Sequence, residues 1–478
     1  MFEAIITLCC LLVLFLAFIF TRAIMFKPKD STEKIETDTD FDKERAVSCL
    51  ASLVKCKTVS YNDTSLEDDE EFEKLIKSLK RLYPAVSKNC ELTRINKRAI
   101  LFHWKGKSEG EASVLMAHFD VVPVDEGAWD KPCFDAIIED GCMWGRGTLD
   151  TKATLNGALF GADTLIEKGF VPEHDVYFAF SGNEETNGDG ATSIIDYFEE
   201  NNIKIGLVLD EGGAVVENVF PGVKSPCAVI GIAEKGMLNL EYKVKANGGH
   251  ASSPMPRSSI GILSDACSKI ENHPFKMHMC DPVRQLFDTL GRHSTFLYRV
   301  IFSNLWAFKG ILNMLGKKKG GEMNALLRTT VAFTQMKGSP AMNVLPTEAT
   351  MVSNLRLNPH DTIDSAISRI KNVIDDERVE ISVLNGFNPS RISRTDCAEF
   401  DKIKKAVSST WDCIVTPYLM VQCSDSRHYG RISDRVYRFS AMDMTKEERA
   451  SVHGNNERIR IDTIHKSCEF YINVIKQL

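Results

Sequence analysis

Residues 176–213 read VYFAFSGNEETNGDGATSIIDYFEENNIKIGLVLDEGG, and their grammar decides the fold. Val176–Ser181 is an apolar run of strand length, Thr192–Asn201 reads as a helix, and Ile205–Leu209 is a second apolar strand. Strands separated by a helical segment pair in parallel, because the helix carries the chain back across the sheet. Upstream, the alternation continues with a strand at Ser113–Ala117 and a helix at Lys152–Lys168. The expectation is an α/β fold, a mainly parallel sheet flanked by helices.

Near residue 237 the pattern changes. Leu238, Leu240, Tyr242 and Val244 alternate with polar residues, as in a strand with one wet face. A helix at Ser258–Asn272 and strands at Arg328–Met336 and Thr347–Leu357 follow. This reads as a smaller α+β domain, 237–357, inserted as a lid or dimerisation unit into a catalytic domain formed by 46–236 and 358–478. The α/β pattern is expected to return at Thr362, where Ile363, Ala366, Ile367, Ile370, Val373 and Ile374 make a helical stripe. Within the insert, residues 281–324 are rich in Phe, Leu, Ile and Trp. They read either as a helical hairpin packed on the small domain, or as an apolar wall that receives an acyl chain or leans on a membrane.

The chain has 478 residues, enough for one large or two ordinary domains. Its 44% hydrophobic and 26% charged residues are those of a folded globular protein. The net charge of −7 is spread along the chain, and the one short basic run, Lys317–Lys319, is too small to track phosphates. No nucleic-acid partner is expected. Ala4 to Phe20 is apolar except for Thr7, near the lower limit of roughly 17–25 residues for a bilayer span. Residues 1–26 therefore read as a signal peptide or a membrane anchor, and 27–45 as a stalk. The basic residues that follow the apolar run would keep the body cytoplasmic by the positive-inside rule. The acceptable sequon Asn62-Asp63-Thr64 instead favours a secretory, lumenal body. The 14 cysteines include no C-x-x-C pair, so no cysteine zinc cluster is suggested.

Five islands place metal-ligand types at strand ends or in tight loops: Met116–Asp120, Trp144–Lys152, Ser181–Gly190, Leu207–Gly213 and Ser451–Glu457. His118 and Asp120 share a strand face, and a ligating imidazole needs a carboxylate for its other N–H. Asp150 follows a two-glycine turn, where it caps a helix or bridges two cations. Adjacent Glu184 and Glu185 raise one another's pKa unless a cation offsets them. Each island alone has an ordinary reading as a cap, a solvated acidic loop or a surface histidine. Together they collect beyond the carboxyl ends of sheet strands, where α/β sites lie. Nitrogen and oxygen donors without sulfur suit zinc, and two cations sharing Asp150 would sit ~3.5–4 Å apart.

The runs Leu115–Pro123 and Gly145–Asp150, with the other islands in this order, resemble the zinc metallopeptidase family that contains aminoacylase, carboxypeptidase S and bacterial glutamate carboxypeptidase. Within it, Ala233–Gly236, Ser303–Trp306 and Arg328–Thr330 are similar to the secreted enzymes that make and hydrolyse N-fatty-acyl amino acids. The resemblance implies two zinc ions, one held by His118 and Asp210, the other by Glu185 and His453, with Asp150 as the bridge. Glu211 is the alternative to Asp210. It also implies that Asp120 orients His118, that Glu184 is the general base, and that His250 reaches the scissile carbonyl oxygen. Asn343 and Arg356 would grip the substrate carboxylate, and the small domain could serve as a homodimer surface. Thr151 and Asn183 depart from the family's usual acids without removing a ligand or the base.

The implied activity is hydrolysis, and possible reverse formation, of N-acyl amino acids. A carboxypeptidase or dipeptidase of the carboxypeptidase S kind is the alternative. A silent, membrane-held binding protein is the third reading, but it predicts loss of a ligand or of Glu184, and none is lost.

Overall fold

The computed structural model describes residues 1–29, 34, 40–217, 220 and 222–478; most of the expected 27–45 stalk lies outside them. The larger sheet has eight strands, in the order Glu91–Asn96, Ala99–Trp104, Val176–Ser181, Ala112–His118, Ile205–Val216, Val436–Met444, Cys227–Glu234 and Ile414–Met420. Its centre is parallel: Ala112–His118 pairs in parallel with Val176–Ser181 on one side and with Ile205–Val216 on the other. Val436–Met444 extends the parallel run beyond Ile205–Val216. Strands covered on both faces must be apolar throughout, and Ala112–His118 and Val176–Ser181 are buried at every position.

Helices cover both faces. Lys152–Glu167 is buried from Lys152 to Leu165 and packs beside Ile461–Ile475. Small residues permit that closeness: a Cβ on Gly157 would lie 2.6 Å from Ser467 Oγ. Gly190–Glu200 contributes Ile194, Ile195 and Phe198 to a separate core on the opposite side. Each of the 14 cysteines carries a free thiol.

The smaller sheet is antiparallel, in the order Thr330–Lys337, Glu348–Leu357, Gly236–Lys245 and Glu380–Phe387. Gly236–Lys245 alternates buried and half-buried residues strictly, as its sequence predicts. The helices Ser259–Asn272 and Ile363–Ile374 close one face over a core that includes Leu238, Tyr242, Ile262, Ala366 and Ile370. The boundary expected at 357 therefore falls inside this domain. The Ile363–Ile374 stripe faces the small sheet, not the large one, because it leads into that sheet's edge strand at Glu380–Phe387.

The 281–324 segment is also placed differently from the helical hairpin expected on the small domain. Asp281–His293 packs against Ile414–Met420 at the edge of the large sheet. Val283, Leu286, Phe287 and Leu290 join Val216, Val229, Leu419 and Met420 in one core. Two further helices, Phe296–Ser303 and Leu305–Lys319, meet the N-terminal helix Phe2–Met25.

Candidate metal centre

One strand end, the interior of a second strand and three loops converge where the sequence places its acidic islands. His118 closes its strand and is 2% exposed. Its Nδ1 lies 3.0 Å from the Asp120 carbonyl oxygen and 3.3 Å from Asp120 Oδ1. Its Nε2 faces Asp150 Oδ1 at 3.0 Å and Glu211 Oε1 at 3.4 Å. On the far side, His453 Nε2 lies 2.9 Å from Asp150 Oδ2 and 3.1 Å from Glu185 Oε2. Asp150 thus offers one oxygen to each imidazole. Ligand atoms of His118, Asp150 and Glu185 lie within 4.8 Å of one another, as do those of His118, Glu184 and Glu211.

Asp210 is the exception among the expected ligands. Neighbouring residues on a strand point to opposite faces, so only one of Asp210 and Glu211 can turn to His118. The structure turns Glu211. Asp210 is 2% exposed and accepts a hydrogen bond from the Ser426 amide at 3.0 Å. Ser424 and Ser426 in turn donate to the buried Glu234, which pairs with Arg438 at 2.6 Å. Asp210 therefore belongs to a polar network beside the site, and it is Glu211, the alternative the sequence offered, that faces His118.

Two further carboxylates hold the ligands in place. Asp120 does more than face His118: it accepts the Ser60 hydroxyl at 2.7 Å and the amides of Glu184 and Glu185 at 3.2 Å each. It thereby ties the histidine to the Glu184–Glu185 loop. Glu457, fully buried, accepts the amides of Gly147, Leu149 and Asp150 at 3.1, 2.7 and 3.3 Å and pairs with Arg146 at 2.7 Å. It organises the turn that presents Asp150. Glu457 stands in the last island, but no spacing rule announces its role across more than 300 residues. Arg427, from a short 3-10 helix without any motif, Asp425–Arg431, approaches Glu184 Oε1 at 4.0 Å.

The electrostatics call for positive charge. Burial, reinforced by Asp425, Glu211 and Glu185, pushes Glu184 well above the usual carboxylate range. Burial and then Asp150 raise Glu211 to about 8, and burial raises Glu185. Hydrogen bonds to Asp150 and Glu185 lift His453 to about 10. Burial works against protonated His118, yet Glu211, Asp120 and Asp150 outweigh it and raise its pKa well above the usual range. Asp150 alone is driven low, because its bonds to the two imidazoles overcome its burial. Asp120, Asp150, Glu184, Glu185 and Glu211 outnumber the two imidazoles in a largely dry site, and a divalent cation relieves that imbalance. The donor set of nitrogen and oxygen suits zinc.

The small-domain residues are not gathered here. His250 and Asn343 are exposed. They neighbour one another through the bridge of Gly249–His250 to Val344–Leu345 and the Ala251 amide on the Asn343 carbonyl at 3.0 Å. His250 Nδ1 lies 2.7 Å from Ser252 Oγ. Arg356 stands nearer: its guanidinium reaches Cys423 Sγ at 3.5 Å, and Cys423 lines the cavity over the centre. That cavity, about 660 Å³, is lined by Asp150, Glu184, Glu185, Glu211 and His453. Val216, Val229, Tyr418, Met420 and Val421 also line it.

Residues 114–477 match peptidase family M20/M25/M40, and the chain belongs to that family. It is 35% identical to the probable carboxypeptidase S-like 2 of Dictyostelium discoideum, over 93% of this chain and 87% of that protein. It is 33% identical to the N-fatty-acyl-amino acid synthase/hydrolase PM20D1.1 of Danio rerio, over 91% of this chain and 86% of that protein. Among solved structures, an M20 family metallo-carboxypeptidase from Sulfolobus solfataricus superposes with a TM-score of 0.66, covering 90% of this chain and 98% of that one at 18% identity. The chain is a metallohydrolase of peptide or amide bonds.

Proposed function

We propose, from its membership of that family, that this chain is a two-zinc hydrolase of N-fatty-acyl amino acids, able to form the same amide bond in reverse. One observation carries the reading: the carboxylate cluster at His118 opens into a cavity that Val216, Val229, Tyr418, Met420 and Val421 also line. The polar lining suits an amide and a head group, and the apolar lining suits an acyl chain. The Danio rerio relative, named for this reaction, supports it. Two ligand sets that share Asp150, one at His118 with Glu211 and one at His453 with Glu185, support two ions.

Bound divalent ions would supply Lewis-acid polarisation of the amide carbonyl and acidify water for attack. Glu184 takes the proton from the attacking water and returns it to the leaving nitrogen, so that the C–N bond breaks to a carboxylic acid and an amine. Asp120 holds the Glu184 amide and His118 in one geometry, so it acts by positioning. Closure of the small domain would bring His250 to the oxyanion and Asn343 and Arg356 to the substrate carboxylate. A guanidinium suits that bidentate task. The antiparallel sheet of the small domain also offers a surface for a homodimer, and the Phe2–Met25 helix directs the chain to the secretory route as a signal or anchor.

The rival is a carboxypeptidase or dipeptidase, which the Dictyostelium discoideum relative favours. The test is turnover by purified protein of an oleoyl-amino acid beside a dipeptide of two small apolar residues, in both directions. The reading expects kcat/KM at least tenfold higher for the oleoyl substrate. Preference for the dipeptide overturns it.

A further inference from the structure

We propose that the helices Phe296–Ser303 and Leu305–Lys319 form a platform that sinks into the surface of a phospholipid bilayer beside the Phe2–Met25 helix. Resting on the N-fatty-acyl reading above, its role is to collect acyl substrates from the membrane for the cavity.

The length of the first helix carries the argument. Phe2–Met25 has 24 residues and is apolar enough to cross a membrane. At ~1.5 Å per residue it measures about 36 Å, against a hydrocarbon core of about 30 Å. Its ring and hydrogen-bond contacts with the platform fall in its second half, from Phe15 to Arg22. Phe15 and Phe18 meet Trp306 with ring centroids 6.0 and 6.4 Å apart. Phe20 stacks on Phe296, Asn304 Nδ2 donates to the Ile19 carbonyl at 3.1 Å, and Arg22 donates to the Ser303 carbonyl at 2.9 Å. The part ahead of Phe15 is only about 20 Å long and cannot span the core by itself. A spanning helix must therefore include residues that already carry Phe296 and Trp306. The platform then enters the membrane boundary with them.

The platform's own surface agrees. Phe296, Leu297, Trp306, Ile311, Met314 and Leu315 are exposed, Leu297 by 72% and Met314 by 60%. From Thr289 to Gly321 the chain has no Asp or Glu, while Arg299, Lys309 and Lys317–Lys319 are basic. Exposed apolar side chains with lysines among them match the interfacial layer and its anionic headgroups. The same segment leads directly to the chemistry. Gly320 and Gly321, at φ +63° and +65°, turn the chain into Gly321–Leu327. Glu322 and Ala325 of that helix line the cavity, where Glu322 accepts the Tyr418 hydroxyl at 2.7 Å.

The test uses the full chain in nanodiscs of phosphatidylcholine and phosphatidylserine, with lipids brominated near the glycerol end of the acyl chains. The Trp306 fluorescence, isolated by difference from Trp306→Phe, is expected to be quenched at least twofold by the bromolipid and little by aqueous acrylamide. Quenching by acrylamide alone overturns the platform. A second arm replaces Leu297, Ile311 and Leu315 by Glu. The apparent KM for vesicle-borne oleoyl-amino acid is expected to rise at least fivefold, while kcat/KM for a soluble N-acetyl-amino acid stays within twofold. Equal change, or none, with the two substrates overturns substrate collection. Absence of N-acyl hydrolysis in the unaltered chain sinks the functional reading alone, because the quenching arm still decides membrane contact.

Discussion

Two of the protein's sheets, the eight-stranded, mainly parallel one and a two-stranded ladder of the small domain, treat functional residues in opposite ways. The large, mainly parallel sheet delivers His118 from a strand end and Glu211 from within a strand into a buried cluster with Asp150, Glu184 and Glu185, braced by Asp120 and Glu457. The two-stranded ladder of Gly249–His250 and Val344–Leu345, apart from the four-stranded sheet, leaves His250 and the adjoining Asn343 exposed, with His250 Nδ1 2.7 Å from Ser252 Oγ. Parallel strands end at one edge, so their loops meet without further movement. A two-residue ladder at the surface of the small domain leaves its side chains in solvent. The difference predicts that changes in the large domain remove chemistry, and that changes in the small domain weaken what closure adds.

The sharpest way to break this division is at the ions and the base. Chelation with 1,10-phenanthroline should abolish turnover, with recovery on adding zinc, and should lower Tm because the crowded carboxylates lose their counter-charge. Glu184→Gln should reduce kcat by roughly 10²–10⁴-fold, with metal content by mass spectrometry near that of the parent. Full activity in that variant removes Glu184 from its role.

A finer division lies within one strand. Glu211→Gln should lose metal, while Asp210→Asn, whose amide oxygen can still accept from Ser426, should keep it. The reverse pattern would restore Asp210 as the ligand. Crossing to the small domain, His250→Ala should lower kcat by about 10²-fold, the scale of a lost oxyanion donor, at unchanged metal content. A parental kcat would show that His250 stays out of the closed site. Arg356→Lys should have the smallest effect, a KM raised about tenfold with kcat near normal, because a lysine keeps the charge and loses the fork. A fall in kcat with KM intact would place Arg356 in the chemistry instead.

Much of this was legible beforehand. The helix expected at Lys152–Lys168 forms at Lys152–Glu167, and the strand expected at Val176–Ser181 forms with those bounds, because long apolar runs punctuated by glycine leave little choice. The sequence places a boundary at 357 and the structure continues the small sheet to Phe387, because the apolar stripe of Ile363–Ile374 suits either sheet. For 281–324, where two readings stood open, the composition asks for burial without naming the surface that provides it.

The sequence by itself determined the alternation of elements and the set of residues able to hold a cation, since spacing and residue type are local properties. Only the tertiary structure decided that Glu211 and not Asp210 turns to His118, that Glu457 reaches back to the Asp150 turn, and that Phe296 and Trp306 lie on the N-terminal helix. Those outcomes depend on which faces are brought together by residues hundreds of positions apart. A one-dimensional pattern records that a face is apolar or acidic, and folding chooses what it meets.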